Sequence, residues 1–203
     1  MRKLWAPAFH LLVFIVSGAL LAYGWLAFEI DRAQRTQRQG DTEAAATIYA
    51  RAERPFFWIP GLARILAHAY KAVSFGQVAI FYEQNRTDDA LGKLEQISAT
   101  APALTETGEY AFWTGNLLFR QAQQTKDPEA AVSSAKAALG EFQRGLALEP
   151  EDWDLKYNYE LVSTMFLKGQ SQKKEEQKVK SLLDKMRPTQ EPSREDLAPE
   201  KRG

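Results

Sequence analysis

The chain has no cysteine among its 203 residues. That absence excludes disulfides, thiolate metal sites, a cysteine nucleophile and a lipid-modified cysteine anchor. Histidine is scarce as well, with His10 and His68 the only two, and net charge is missing, with 26 basic against 26 acidic side chains. Whole-protein charge therefore steers the chain toward no class of partner, and Lys and Arg are not gathered into a nucleic-acid footprint. No glycine-rich phosphate loop is present, because "TGNLLF" (114–119) lacks both the glycine spacing and the lysine. His68 lies in "LARILAHAYKAV" without a histidine or a spaced carboxylate beside it, and no serine or threonine has a Ser/His/Asp setting. The acids Glu149, Glu151, Asp152 and Asp154 span the end of one helix and the start of the next, without the glycine and 12-residue spacing of a calcium loop. They read as caps for a helix N-terminus. No catalytic, cofactor-binding or metal-ligating set emerges, which points to a non-enzyme. The competing reading from another class is an enzyme or transport component built on His68 or on the acid cluster.

What the sequence does have is unevenly distributed. Residues 1–38 carry five basic and two acidic side chains, residues 39–168 twelve and seventeen, and residues 169–203 nine and seven. Between Leu4 and Phe28 there is no Asp, Glu, Lys or Arg over 25 residues. A helix needs roughly 20 such residues to cross about 30 Å of hydrocarbon. Trp5, Tyr23 and Trp25 stand near the ends of the run, where amphipathic rings favour the headgroup level. The run is too long for the apolar core of a cleaved signal peptide, so it reads as an uncleaved single-pass anchor in residues 4–28. Arg2, Lys3 and the amino terminus flank one side and Arg32, Arg35 and Arg38 the other, a balance leaning slightly toward a cytoplasmic body.

Beyond the anchor the signals are helical. "GDTEAAATIYARAERP" holds Ala45, Tyr49 and Ala52; "DDALGKLEQISATAP" holds Ala90, Leu94 and Ile97; "AALGEFQRGLALEP" holds Ala138, Phe142 and Gly145. Each triplet runs small, bulky, then small or aliphatic at offsets of 4 and 3, and a proline corner follows at Pro55, Pro102 or Pro150. Those offsets place three side chains on one helix face, where the small ones admit a partner helix and the bulky one fills the groove between. This is the second-helix pattern of tetratricopeptide repeats, which the sequence resembles. Gly40-Asp41 matches the turn before such a helix, and "KYNYEL" (156–161) resembles the opening of a further repeat. The separations of 45 and 48 residues exceed the usual 34, and Glu160 stands where glycine or alanine is customary. The expected fold is all-α: a transmembrane helix followed by a degenerate tetratricopeptide-like array of about three antiparallel hairpins. Expected helices cover 5–38, 42–54, 61–85, 87–99, 105–124, 128–148 and 152–168. Expected domains are a membrane anchor with its juxtamembrane helix (1–38), the repeat domain (39–168), and a charged tail (169–203) whose composition suits a short helical extension followed by disorder.

Two apolar segments have two readings each. "FFWI" (56–59), bracketed by Pro55 and Pro60, is either a packed corner beneath the array or a patch that dips into the membrane or docks a partner. "GEYAFWTGNLLF" (108–119) is too apolar all round for a surface helix, so it reads as a central helix packed in the core or as part of an aromatic groove. At the last corner, Trp153, Tyr157, Asn158 and Tyr159 are candidates for partner binding.

"EPEDWDLKYNYEL" (149–161) resembles the last repeat of small tetratricopeptide-type proteins encoded beside MoxR-type ATPases and von Willebrand A-domain proteins. With the N-terminal helix and the chain length, the resemblance is to the MxaK family of accessory proteins in bacterial methanol-oxidation clusters. It implies an inner-membrane scaffold with a periplasmic repeat domain, without chemistry of its own, that assists maturation of a periplasmic calcium- and quinone-dependent methanol dehydrogenase. Its partners would be other membrane-associated or periplasmic proteins. No cofactor, small-molecule substrate or nucleic acid is implied. A chaperone-like subunit of a translocon or envelope-assembly complex is the alternative within the same class.

Overall fold

Small residues at helical spacing, with an aspartate at the head of the run, make helices, and the computed structural model of the chain is built from them. It describes residues 5–59 and 61–186. Among these, eight α-helices occur: α1 (Trp5–Arg38), α2 (Thr42–Trp58), α3 (Leu62–Ile65), α4 (Ala67–Glu83), α5 (Thr87–Thr100), α6 (Gly108–Gln124), α7 (Pro128–Leu148) and α8 (Trp153–Met186). A 3₁₀ turn fills Pro102–Glu106, and no strand is present among the described residues.

The helix starts follow local chemistry. Gly40 adopts φ +87°, a conformation that L side chains rarely take, and so turns the chain. Asp41 then caps α2 by accepting from the Ala44 N–H at 3.0 Å. Asp127 does the same for α7, with Pro128 at the first helical position, where its missing N–H costs nothing. Consecutive hairpins α1–α2, α4–α5 and α6–α7 stack so that α2 packs on α4 and α5 on α6.

The triplet residues all lie inside. Ala45, Tyr49 and Ala52 on α2, Ala90, Leu94 and Ile97 on α5, and Ala138, Phe142 and Gly145 on α7 are buried. Two bulky members sit on glycines of a neighbouring helix. A Cβ placed on Gly76 of α4 would lie 2.4 Å from the Tyr49 ring, and one on Gly115 of α6 would lie 2.6 Å from the Phe142 ring. Each contact brings two helix backbones closer than any side-chain-bearing residue would allow. Gly145 plays the same part for Leu155 at the start of α8. The core falls into two clusters, one spanning α1–α6 and a smaller one formed by Ala138, Phe142, Leu155 and Val162. The chain divides after Val162.

Several boundaries depart from expectation. α2 runs through Pro55 to Trp58 instead of stopping at the proline. Phe56, one residue beyond, is buried in the first cluster, and the Ile59 N–H bonds the Pro55 carbonyl at 3.1 Å, so packing and a closed last turn carry the helix past the missing donor. The helix expected over 61–85 breaks at Leu66 into α3 and α4. Ala63 and Ala69 are both buried, although six residues apart they would diverge by about 120° around a straight helix. The break lets both face inward. The segment expected at 105–124 divides into the 3₁₀ turn and α6. α8 continues past Lys168 to Met186, so the expected short extension is helical that far, and residues 187–203 lie outside the described residues.

The FFWI corner is not packed. Only Phe56 is buried, while Phe57, Trp58 and Ile59 are 66%, 82% and 51% exposed. Along the described part of α1, buried residues appear only at Leu26, Glu29 and Ala33, a single stripe facing the array, whereas the large apolar side chains from Phe9 to Leu21 are open. Among the described residues, α1 is the one helix long and apolar enough to cross a membrane.

Candidate interaction groove

Helices α1, α2, α4 and α6 enclose an open groove of about 470 Å³. A smaller hollow of about 320 Å³ adjoins it and shares Lys71, Glu109 and Trp113. The floor comes from α4, whose Ala72, Gly76 and Ala79 form a low strip at helical spacing with Phe75 beside it. Trp113 of α6 forms one wall. Its ring meets Tyr82 edge-on at 5.8 Å, and the Arg120 guanidinium lies over that tyrosine at 3.4 Å from the ring centre. Arg120 Nη1 also donates to the Tyr82 carbonyl oxygen. The wall is thus fixed by an aromatic contact and a cation–π stack before anything enters.

The rim is polar. Gln34, Gln37 and Arg38 of α1 stand at one end, and Glu149, Asp152 and Asp154 at the far end of the smaller hollow. Between them Lys71 pairs with Glu109 at 3.0 Å, linking α4 to α6 across the opening. Tyr49 reaches the groove from its seat on Gly76, with its hydroxyl 3.5 Å from Gln37 Oε1. Burial raises its pKa above the ordinary tyrosine value; the nearby Arg38 opposes this in part, and Glu83 adds least to the rise. The phenol stays neutral, a donor at the groove edge.

Two of the far-end acids are already engaged. Glu149 Oε1 accepts from the Gly108 N–H at 2.9 Å, and Asp152 Oδ1 from the Leu155 N–H at 2.9 Å, so each satisfies the first turn of a helix. Glu151 pairs with Lys156 at 3.2 Å. No cluster of His, Asp and Glu among the described residues has the arrangement of a metal site. His68 is exposed on the groove wall, and no carboxylate among the described residues bonds it.

The corner candidates are only partly brought together. Trp153 and Tyr157, one helical turn apart on α8, are 79% and 65% exposed, with Lys156 Nζ over the Trp153 ring at 5.6 Å. Asn158 is half-buried. Tyr159 turns inward against the second cluster, where its hydroxyl accepts from Gln143 Nε2 at 3.0 Å. None of the four lines the groove. The segment 108–119 serves both of its expected readings, since Ala111, Gly115 and Leu117 are core while Phe112 and Trp113 face the two hollows. The α4 strip was not singled out from sequence because it carries no reactive group. Its signal, small residues at Ala72, Gly76 and Ala79 on an otherwise apolar helix, is nevertheless written there.

No family model matches the chain, and no curated protein matches it. Among solved structures it is similar to the crystal structure of a thermophilic tetratricopeptide-repeat protein from Thermus thermophilus. The TM-score is 0.56 at 14% identity, over 69% of this chain and 65% of that one, so this chain spans less than two thirds of that protein's length. The fold is therefore a tetratricopeptide-like array of helical hairpins preceded by a long apolar helix.

Proposed function

We propose that this chain is a non-enzymatic, membrane-anchored scaffold that holds a segment of a partner protein in the α1–α2–α4–α6 groove. The observation that carries the reading is the groove itself: a low strip of small residues, an immobilised tryptophan wall and a rim charged oppositely at its two ends. Such a surface offers apolar contact and orientation but no activated nucleophile or paired acid and base. Residues 4–28 would hold the array at the bilayer, confining the search for partners and raising their effective concentration. Trp153 and Tyr157 supply a second exposed aromatic contact for a large partner.

The finer reading follows the sequence resemblance at 149–161. The partners are MoxR-type ATPase and von Willebrand A-domain proteins at the bacterial inner membrane, the repeat domain is periplasmic, and the task is maturation of a methanol dehydrogenase. The experiment is co-purification of the full chain from its native membranes with Ala72→Arg or Ala79→Arg, which fill the groove from half-buried positions. Ser133→Arg, on an exposed face, is the control. Loss of partner recovery by about tenfold or more is expected for both groove variants, the size of a central contact. Full recovery with unchanged thermal unfolding would overturn the groove assignment.

A further inference from the structure

The first hairpin fixes where the exposed FFWI corner lies along α1. The chains of α1 and α2 run antiparallel, and Arg51 Nη1 of α2 stands 3.8 Å from Glu29 Oε2 of α1, which sets their register. From that level, seven residues to Trp58 and seven back to Ala22 each cover about 10 Å in the same direction. Trp58 therefore lies at the height of Ala22 and Tyr23, inside the uncharged run 4–28 and near its body-side end. The burial pattern agrees. From Phe9 onward Leu26 is the first buried residue of α1, and Phe56 is the last of α2, both in one core cluster; the described side chains from Phe9 to Trp25, and Phe57 and Trp58, are open. Tyr23 and Trp25 are 52% and 43% exposed on α1, Phe57, Trp58 and Ile59 are exposed at the end of α2, and Ile65 is 77% exposed on α3.

From this juxtaposition we infer that the α2–α3 corner is a second membrane contact, inserted into the interfacial zone of the leaflet on the body side of the anchor. The inference rests on the reading of α1 as a span. Its chemistry suits lipid better than a protein partner. A tryptophan, a phenylalanine and an isoleucine at the end of α2 sit at the depth where aromatic rings favour the headgroup–acyl boundary, about 5–10 Å into the interface, and the exposed Ile65 follows on α3. Arg51, Arg54 and Arg64, all exposed, flank the corner; Arg51 stands one to two turns of α2 above it, at headgroup height for phospholipid phosphates. One span alone leaves the array free to swivel about α1. Two contacts on one hairpin hold it at a set tilt, with α2 pressed toward the bilayer.

The absence of cysteine makes any introduced thiol the sole labelling site. The full chain, reconstituted in phosphatidylcholine–phosphatidylglycerol nanodiscs, would carry an environment-sensitive fluorophore at Trp58→Cys, Ile65→Cys, Val16→Cys or Ser133→Cys in turn. Quenching by shallow spin-labelled lipid at positions 58 and 65 is expected to exceed that at 133 by about threefold or more, with matching protection from aqueous iodide. Labels at 58 and 65 that behave like 133 while 16 is deep in the bilayer would overturn the inference and leave the anchor standing. A label at 16 that iodide reaches would overturn the anchor, and the inference with it.

Discussion

Tyr49 on Gly76 and Phe142 on Gly115 are one packing device in two settings, and the settings differ. Phe142 is sealed, in a cluster whose buried members are Ala138, Leu155 and Val162, none of them polar. Tyr49 is equally buried, but its hydroxyl reaches Gln37 and the groove, and the surrounding cluster holds buried charge. Glu53 of α2 accepts from Lys93 Nζ of α5, from Gln77 Nε2 of α4 at 2.9 Å and from Gln96 Nε2 at 3.2 Å, with the side chains of Glu53 and Lys93 only 8% and 4% exposed. One carboxylate thereby ties three helices. The aromatic seat sets the distance between helices, and the ionic knot adds a demand on which helices meet. The last hairpin has no buried ion pair of this kind among the described residues; its polar contacts, such as Glu149 with the Gly108 N–H, lie at its ends.

The largest expected effect breaks that knot. Glu53→Gln leaves Lys93 buried without its counter-charge, a change of about 3–5 kcal/mol in stability, whereas Glu53→Leu with Lys93→Met should recover most of it, since replacing both partners by apolar groups is often neutral or better. Urea unfolding of the full chain in detergent micelles measures both. A double variant no more stable than Glu53→Gln would mean the knot does more than satisfy its own charges.

The next effect compares the two seats directly. Gly115→Ala drives a methyl into a ring that has nowhere to go and should cost about 1–3 kcal/mol, less whatever helix propensity returns. Gly76→Ala meets the far end of the Tyr49 ring, which can swing into the groove, so its net cost should be smaller. Equal losses would mean that Tyr49 is held as rigidly as Phe142.

This contrast also marks what was legible in the sequence. The seats were visible from one side: Tyr49 and Phe142 stood out as bulky residues between small ones, and periodicity alone assigns them to a buried stripe. Their glycines were not identified as partners, because Gly76 and Gly115 lie 27 residues ahead of and behind the aromatic residue they receive, and local spacing carries no information at that range. Glu53 and Lys93 were illegible for another reason. Each directly adjoins a core position, Ala52 or Leu94, and an isolated charge beside an apolar stripe is ordinarily a solvated rim. Only stacking α2 against α4 and α5 turns both inward. Pro55 misled because its local effect is to stop helices, while Phe56 beyond it had a core to enter. The groove was readable as composition and not as a place, since its walls come from four helices.

The smallest effect separates the settings by titration. Burial raises the pKa of Tyr49 and of Tyr110, which packs on the first cluster, and lowers that of Lys93 against the opposing pull of Glu53. A raised tyrosine contributes stability that is whole below its unfolded value of 10.0 and is lost as pH climbs through the folded one. The lowered lysine works the other way: its contribution is whole above 10.5 and is lost as pH falls through the folded value. Between the folded value of Lys93 and pH 10 the native protein should therefore gain stability with pH, and above pH 10 the tyrosines should reverse the trend. Glu53→Leu with Lys93→Met removes the rising part and leaves the fall; Tyr49→Phe shallows the fall. Urea midpoints taken in steps from pH 8 to 11 give both slopes. The second cluster, on whose helices no charged residue is among the buried ones described, should follow only as far as it unfolds together with the first. A wild-type profile already falling at pH 9 would mean that the exposed charges, not the buried lysine, set the alkaline response.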